Sequence, residues 1–165
     1  MPSPAAAGFT AVELLVAVAV VAVLSGLGAA SYRDITGRTR AAGAAADLLH
    51  AVELTRSEAL KRGARVTLLP AAGDWTAGWM VFVDSNANRR WDPVEPVILR
   101  HEALAPSTRL TANTTPGYIA FGAGGMPQQY SGAFLAATLS ICDAGSGRSL
   151  VLARSGRPRM VSATC

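Results

Sequence analysis

Cysteine, histidine, aromatic side chains and acids are all scarce in this chain. Its 165 residues include two cysteines and two histidines, and aromatics make up 6%. Each shortage closes off a class of function. Structural zinc needs about four Cys or His ligands at short spacings; His50 and His101 each lack a metal-spaced companion. No nucleophile elbow, phosphate loop or paired-cysteine motif occurs. Scattered Ser, Asp and His do not make a catalytic constellation, so neither an enzyme nor a cofactor is expected. From Ala144 to Cys165 acids are missing altogether, whereas arginine stands at Arg148, Arg154, Arg157 and Arg159. That tail accounts for the whole net charge of +4. Such an excess suits an acidic partner, nucleic acid or anionic lipid.

What the chain does have is a long apolar run. From Leu14 to Ala30 the only strongly polar side chain is Ser25. Counted from Phe9, about 20 residues at about 1.5 Å each span about 30 Å, one bilayer core. Glu13 stands at its mouth. A carboxylate costs roughly 2.5–3.5 kcal/mol at a membrane helix centre, and less at the helix start, where the dipole favours an anion. Glu13 therefore reads as a group that needs a partner. A cleaved secretory signal and a plain anchor are the simpler alternatives. Against the first, Met1 to Gly8 holds no Lys or Arg, and no small-residue exit site ends the core.

The run leads into a helix-like segment, Ser31 to Arg62. Ala45, Leu48, Leu49, Val52, Ala59 and Leu60 fall near one face at 3.6 spacing. Glu58 and Arg62 stand at i,i+4, and Lys61-Arg62-Gly63 is a stop signal. One helix is thus expected from about Phe9 to Arg62, with Gly37 and Gly43 as its weak points. Beyond Gly63 short strands follow: Arg65–Leu69, Gly78–Asp84 (apolar on both faces, hence central), Pro96–Arg100, Tyr118–Phe121, Phe134–Cys142, Ser149–Ala153 and Arg159–Val161. Glycine and proline punctuate the joins; the chain has 16 and nine of them. The expected fold class is α+β, a long N-terminal helix packed on a C-terminal antiparallel β domain.

Gly8-Phe9-Thr10-Ala11-Val12-Glu13-Leu14-Leu15 closely resembles the class III signal of type IV pilins and pseudopilins. The resemblance implies cutting by a prepilin peptidase between Gly8 and Phe9, N-methylation of Phe9, and a pilin fold. It makes Glu13 the assembly carboxylate, paired with the Phe9 amine of a neighbouring subunit; a buried carboxylate needs such a partner. The implied organisation is a leader at 1–8, a transmembrane and assembly helix at 9–30, an amphipathic continuation at 31–62 and a β domain at 63–165. The implied setting is the bacterial inner membrane, crossed once, with the globular domain periplasmic and the subunit built into a pilus or pseudopilus. Two departures stand out. The leader lacks basic residues while Arg33, Arg38 and Arg40 follow the run, opposite to the positive-inside pattern. No proline occurs late in the helix.

The body narrows the family. Arg56 to Gly63, Gly78 to Asn88 running on to Glu95-Pro96, Leu139 to Asp143, and Ser155-Gly156-Arg157 are similar to the type II secretion pseudopilin H (GspH/FimT) family. Members often carry a cysteine after the first strand, where Leu69-Pro70 stands here. That leaves Cys142 to pair with Cys165, a disulfide permitted outside the cytoplasm; two free thiols are the alternative.

Two segments invite ligands. Asp84 to Glu95 spaces oxygen side chains like a calcium loop, but Arg89 occupies the position that requires glycine. The competing reading is a polar hairpin whose Asn and Asp side chains bond their own backbone; no metal site is expected. The basic tail is the sharper signal. Ser155-Gly156 suits a two-residue turn, which would set Arg154 opposite Arg157, with Arg159 on the same side of an edge strand and Arg148 nearby. Gly156-Arg157-Pro158-Arg159 also matches a Gly-Arg-x-Arg motif of DNA-binding FimT members. By that resemblance the arginines capture DNA, independently of sequence, for uptake in transformation; a solvated edge with no ligand is the competing reading. The function expected is thus a minor pilin that captures DNA, or alternatively a structural pseudopilin of type II secretion, in either case with other pilins as partners.

Overall fold

Thr10 and Glu13 form a capping box that starts the long helix α1 (Ala11–Arg62). The Thr10 hydroxyl accepts from the Glu13 amide at 3.3 Å, and Glu13 Oε2 accepts from the Thr10 amide at 3.1 Å, satisfying two otherwise orphan donors. The computed structural model describes residues 10–112 and 117–165, and no side chains at positions 26–31. The 52 residues of α1 extend about 78 Å at 1.5 Å per residue. At its end Gly63 adopts the left-handed conformation, φ 60°, and donates to Ala59 O, as a helix stop requires. Glu58 pairs with Lys61 at 3.0 Å and with Arg62 at 2.8 Å.

The two halves of α1 meet different surroundings. Ala41, Ala44, Ala45, Leu48, Ala51, Val52 and Ala59 are buried. Small side chains on that face let the sheets approach closely. Leu60, expected on the same face, is instead 51% exposed; the stripe has rotated off the core by the last turn. The large apolar side chains from Val12 to Leu24 are 52–70% exposed. Among the described residues no helix is long and apolar enough to cross a membrane.

Among the described residues eight strands form two four-stranded sheets, antiparallel throughout. They are β1 (Val66–Ala71), β2 (Asp74–Val83), β3 (Val97–His101), β4 (Arg109–Ala112), β5 (Ile119–Phe121), β6 (Ala137–Asp143), β7 (Ser146–Leu152) and β8 (Pro158–Thr164). The first sheet runs β3-β2-β1-β5, the second β4-β6-β7-β8. β2 is interior, as its doubly apolar sequence implies, and buries Trp79 and Phe82. β4 has no counterpart in the sequence reading because only Leu110 of its four residues is buried. The inner face of the second sheet alternates Ala137, Leu139 and Ile141 with the partners Leu152, Leu150 and Arg148. All of these but Arg148 join the core against α1.

Gly37 fixes how tightly α1 is seated. A Cβ there would overlap the Cβ of Ala144, in the turn between β6 and β7. The pairing of Cys142 with Cys165 is present as a disulfide that ties β6 to the chain end across β7.

Candidate functional site

The last strand pair carries the basic tail, and its register decides where each arginine goes. Leu152 opposite Pro158 is the final rung of β7 and β8. Five residues, 153–157, therefore make the connection rather than a two-residue turn. Gly156 N donates to Ala153 O at 3.0 Å, closing a turn. The expectation that Arg154 and Arg157 face each other across a hairpin thus fails: both lie in the loop, beyond the ladder. Pro158 sits at the start of β8, an edge strand, where a missing amide donor is tolerated.

Arg154, Arg157 and Arg159 are all exposed. The Arg154 guanidinium lies 5.2 Å from the Phe134 ring centre, a cation–π contact that holds it over the surface. Arg157 and Pro158 line a groove of about 470 Å³ against Glu53, Arg56, Ser57 and Leu60 of α1. Arg159 is paired with Val151 and points to the sheet face away from α1.

Gly156 is the anchor of this tip. It is buried, with φ 70°, and a Cβ there would come within 3.0 Å of Gly125 O and 3.1 Å of Pro127 Cδ. A glycine is required on both counts. Arg56 Nη1 donates to Gly156 O at 3.2 Å, so α1 itself clamps the loop. Sequence reasoning missed the roles of Arg56 and Phe134. No local signal marks them, since Arg56 and Gly156 are 100 positions apart.

Arg148 does not join this group. It shares strand parity with Leu150 and Leu152, so it lies on the helix-facing side of β7, opposite Ser162. Four residues separate it from the end of the strand, about 13 Å at about 3.3 Å per residue. The fold thus sets Arg154 and Arg157 on one loop with Arg159 next to it in β8, and sends Arg148 elsewhere.

The other candidate residues are placed as follows. Gly8 and Phe9 lie outside the described residues. Glu13 is engaged in the capping box. In the loop from Asp84 to Glu95, the carboxylates cap their own backbone: Asp84 accepts from the amides of Asn88 (3.2 Å) and Arg89 (3.3 Å). Glu95 accepts from Ser85 (2.8 Å) and Asp92 (3.2 Å). The side-chain amides of Asn86 and Asn88 donate to Asp92 at 2.7 and 2.8 Å. Arg89 takes the left-handed conformation, φ 68°, at the point where a calcium loop uses glycine. This is the geometry of the polar hairpin. Among the described residues no cluster of three or more Asp, Glu, His or Cys suited to a metal occurs. Tyr130 donates to buried Asp84 and shares a 2.9 Å hydrogen bond with Thr67. Burial, and then the Asp84 carboxylate, push the tyrosine pKa well above its usual value. His101 stacks on Trp79, 3.9 Å between centroids, with Nε2 3.4 Å from Asp47.

Comparison with known proteins gives a consistent picture. Residues 44–156 match the family model described as type II transport protein GspH. The pilin-like protein PilA1 of Thermus thermophilus is 30% identical over 158 residues, covering 93% of this chain and 97% of that protein. In structure, the type IV minor pilin FimU of Pseudomonas aeruginosa superposes with a TM-score of 0.64 at 20% identity, over 79% of this chain and 98% of FimU. The minor pseudopilin EpsH of the Vibrio cholerae type 2 secretion system gives 0.55 at 14% identity, over 74% and 97%.

Proposed function

This chain belongs to the GspH family of minor pilins and pseudopilins, structural subunits rather than enzymes, and we propose that it is a membrane-held filament subunit whose C-terminal arginine tip captures DNA. Family membership implies assembly with other pilins. The finer reading adds processing by a prepilin peptidase after Gly8, methylation of Phe9, and an inner-membrane span at 9–30 with the β domain in the periplasm. Within the filament, Glu13 exchanges part of its capping role for the Phe9 amine of a neighbouring subunit.

The observation that carries the DNA reading is the exposure of Arg154 and Arg157 on one clamped loop and of Arg159 beside it at the start of β8. Guanidinium groups suit phosphate oxygens, which they grip in pairs. No base-reading element accompanies them, so binding is sequence-blind. Three phosphate contacts give a salt slope of about −2.7, and hence a loss of about fortyfold between 50 and 200 mM salt. Capture therefore relies on several subunits engaging one DNA molecule.

The test is titration of a labelled duplex with the full chain in non-ionic detergent. Arg157→Gln with Arg159→Gln should lose most of the binding and flatten the salt slope. Binding equal to wild type would sink the DNA reading. The family model's description as a type II transport protein favours a second reading, a structural subunit of a secretion pseudopilus. The absence of DNA binding by wild type at low salt would leave that reading in place.

A further inference from the structure

Arg148, set apart from the tip by strand parity, lines a polar cavity of about 320 Å³ with Arg38, Gly145, Ser146, Gly147 and Ser162. We propose that this cavity binds the phosphate of an anionic phospholipid headgroup, with Arg38 and Arg148 as its two cationic walls.

Charge supports this first. Both arginines are exposed, and among the described residues neither makes an ion pair. Of the nearby acids, Asp143 is buried, and its Oδ2 accepts from Ser107 at 2.8 Å and Thr108 at 2.7 Å. Asp34 lies one turn before Arg38 and is exposed to solvent. The cavity is therefore cationic, with hydroxyl donors at Ser146 and Ser162.

Rigidity comes next. Close approach at Gly37 seats the turn of α1 that carries Arg38 against Ala144. At Gly147 a Cβ would collide with the Ala163 backbone and with Cys165 Sγ. The bare backbone there keeps β7 and β8 together beside the disulfide. Two rigid elements thus each carry an arginine to the wall of one opening, and paired guanidinium groups suit a phosphate.

Position selects the source of that phosphate. Arg38 is eight residues past Ala30, the end of the apolar run, about 12 Å along the helix. Headgroups occupy about 5–8 Å beyond the hydrocarbon core. Helical side chains lean toward the N-terminus, so Arg38 reaches back toward that layer. Tyr32, 70% exposed and six residues earlier on α1, is of the type that settles at membrane interfaces. The inference rests on the membrane-held reading above.

The experiment titrates the full chain in non-ionic detergent with short-chain phosphatidylglycerol, phosphatidylcholine or inorganic phosphate, following amide shifts of Ser146, Gly147 and Ser162 by NMR. Phosphatidylglycerol should bind saturably. Arg38→Gln and Arg148→Gln should each weaken it about tenfold, the worth of one charge-assisted bond, while Arg90→Gln leaves it unchanged. Equal response to phosphatidylcholine, or binding of inorganic phosphate alone, overturns the lipid assignment. So does saturation by a glutamate-bearing peptide in preference to the lipid, which would make the cavity a subunit contact. Flotation with phosphatidylcholine vesicles separates the two readings. Wild type and Arg148→Gln should both float if the apolar run anchors the chain, and a failure of both to float sinks the anchor instead.

Discussion

Gly37 and Gly43 both lie within the domain-packed half of α1, and they should respond oppositely to the same substitution. Gly43 faces open space: a Cβ there meets nothing within 4 Å. Gly43→Ala should therefore stabilise the fold by up to about 1 kcal/mol, the helix-propensity difference. At Gly37 the same gain is opposed. The added methyl would overlap the Ala144 Cβ, with Asp143 Oδ1 at 3.3 Å and Asp143 O at 3.4 Å behind it. None of these is the end of a long flexible side chain. Ala144 itself already holds a left-handed φ of 46° in a tight turn. Overpacking against such a wall costs about 1–3 kcal/mol, so Gly37→Ala should be destabilising on balance. The two alanine variants should then differ by about 2 kcal/mol, combining these estimates. Ala144→Gly removes the clashing methyl and suits the left-handed turn. Combined with Gly37→Ala it should restore stability, with a coupling energy of at least about 1 kcal/mol. Urea unfolding of the four members of this cycle, followed by circular dichroism, measures it. Equal stability of Gly37→Ala and Gly43→Ala, or no coupling to Ala144, would refute the close seating of α1 on the β6–β7 turn.

Two further perturbations test other parts of the fold. The disulfide joins cysteines 23 positions apart, so Cys142→Ser with Cys165→Ser should lose about 3 kcal/mol by the loop-entropy estimate. Faster hydrogen exchange should concentrate in β8, and a loss too small to measure would show that the ladder alone holds the chain end. Tyr130→Phe removes a donor to buried Asp84 and should lose about 1–3 kcal/mol. It should also change the alkaline limb of stability. Because the folded tyrosine pKa is raised, its contribution is complete below the unfolded value of about 10 and fades as pH rises past it. Wild type should therefore lose stability above about pH 10 more steeply than Tyr130→Phe, and parallel curves for the two would remove Tyr130 from that role.

Periodicity carried much of this fold into view, and it did so where burial follows local spacing. Alanine and leucine at 3.6 intervals placed the buried face of α1, and doubly apolar β2 announced its interior position. β4 stayed hidden because one buried Leu110 in four residues makes no alternation. At the tip, composition marked the arginines but not their register. Whether Ser155-Gly156 forms a two-residue turn or the centre of a longer loop depends on where the ladder ends. Pro158 and Leu152 settle that by pairing. The clamp from Arg56 to Gly156 and the shelf under Arg154 join residues remote in sequence, which no local pattern encodes. Arg148 shows the converse: a residue legible as charged and expected near the tip, yet set apart on the helix-facing side of β7 by a parity that is fixed only once the register is known.

That parity gives the molecule a direction. Arg38 and Arg148 frame one end of the second sheet, while Arg56 grips the loop carrying Arg154 and Arg157 at the other. From Arg38 to Arg56 is 18 residues of continuous helix, about 27 Å at 1.5 Å each. Arg148, the nearer of the two, stands about 13 Å from the loop along β7; that still exceeds the Debye length of about 8 Å at physiological salt, so the two cationic groups are largely screened from each other. An anionic lipid held near Arg148 would neither screen the tip nor compete for it. A chain standing on the membrane by its first half would present Arg154, Arg157 and Arg159 at the end farther from the headgroups. The variants that test the two sites should therefore be separable. Arg148→Gln should leave the salt slope for DNA at its wild-type value, and Arg157→Gln should leave phosphatidylglycerol binding intact. A shared loss in both assays would mean that the arginines act as one diffuse field, and that the division imposed by strand parity has no functional consequence.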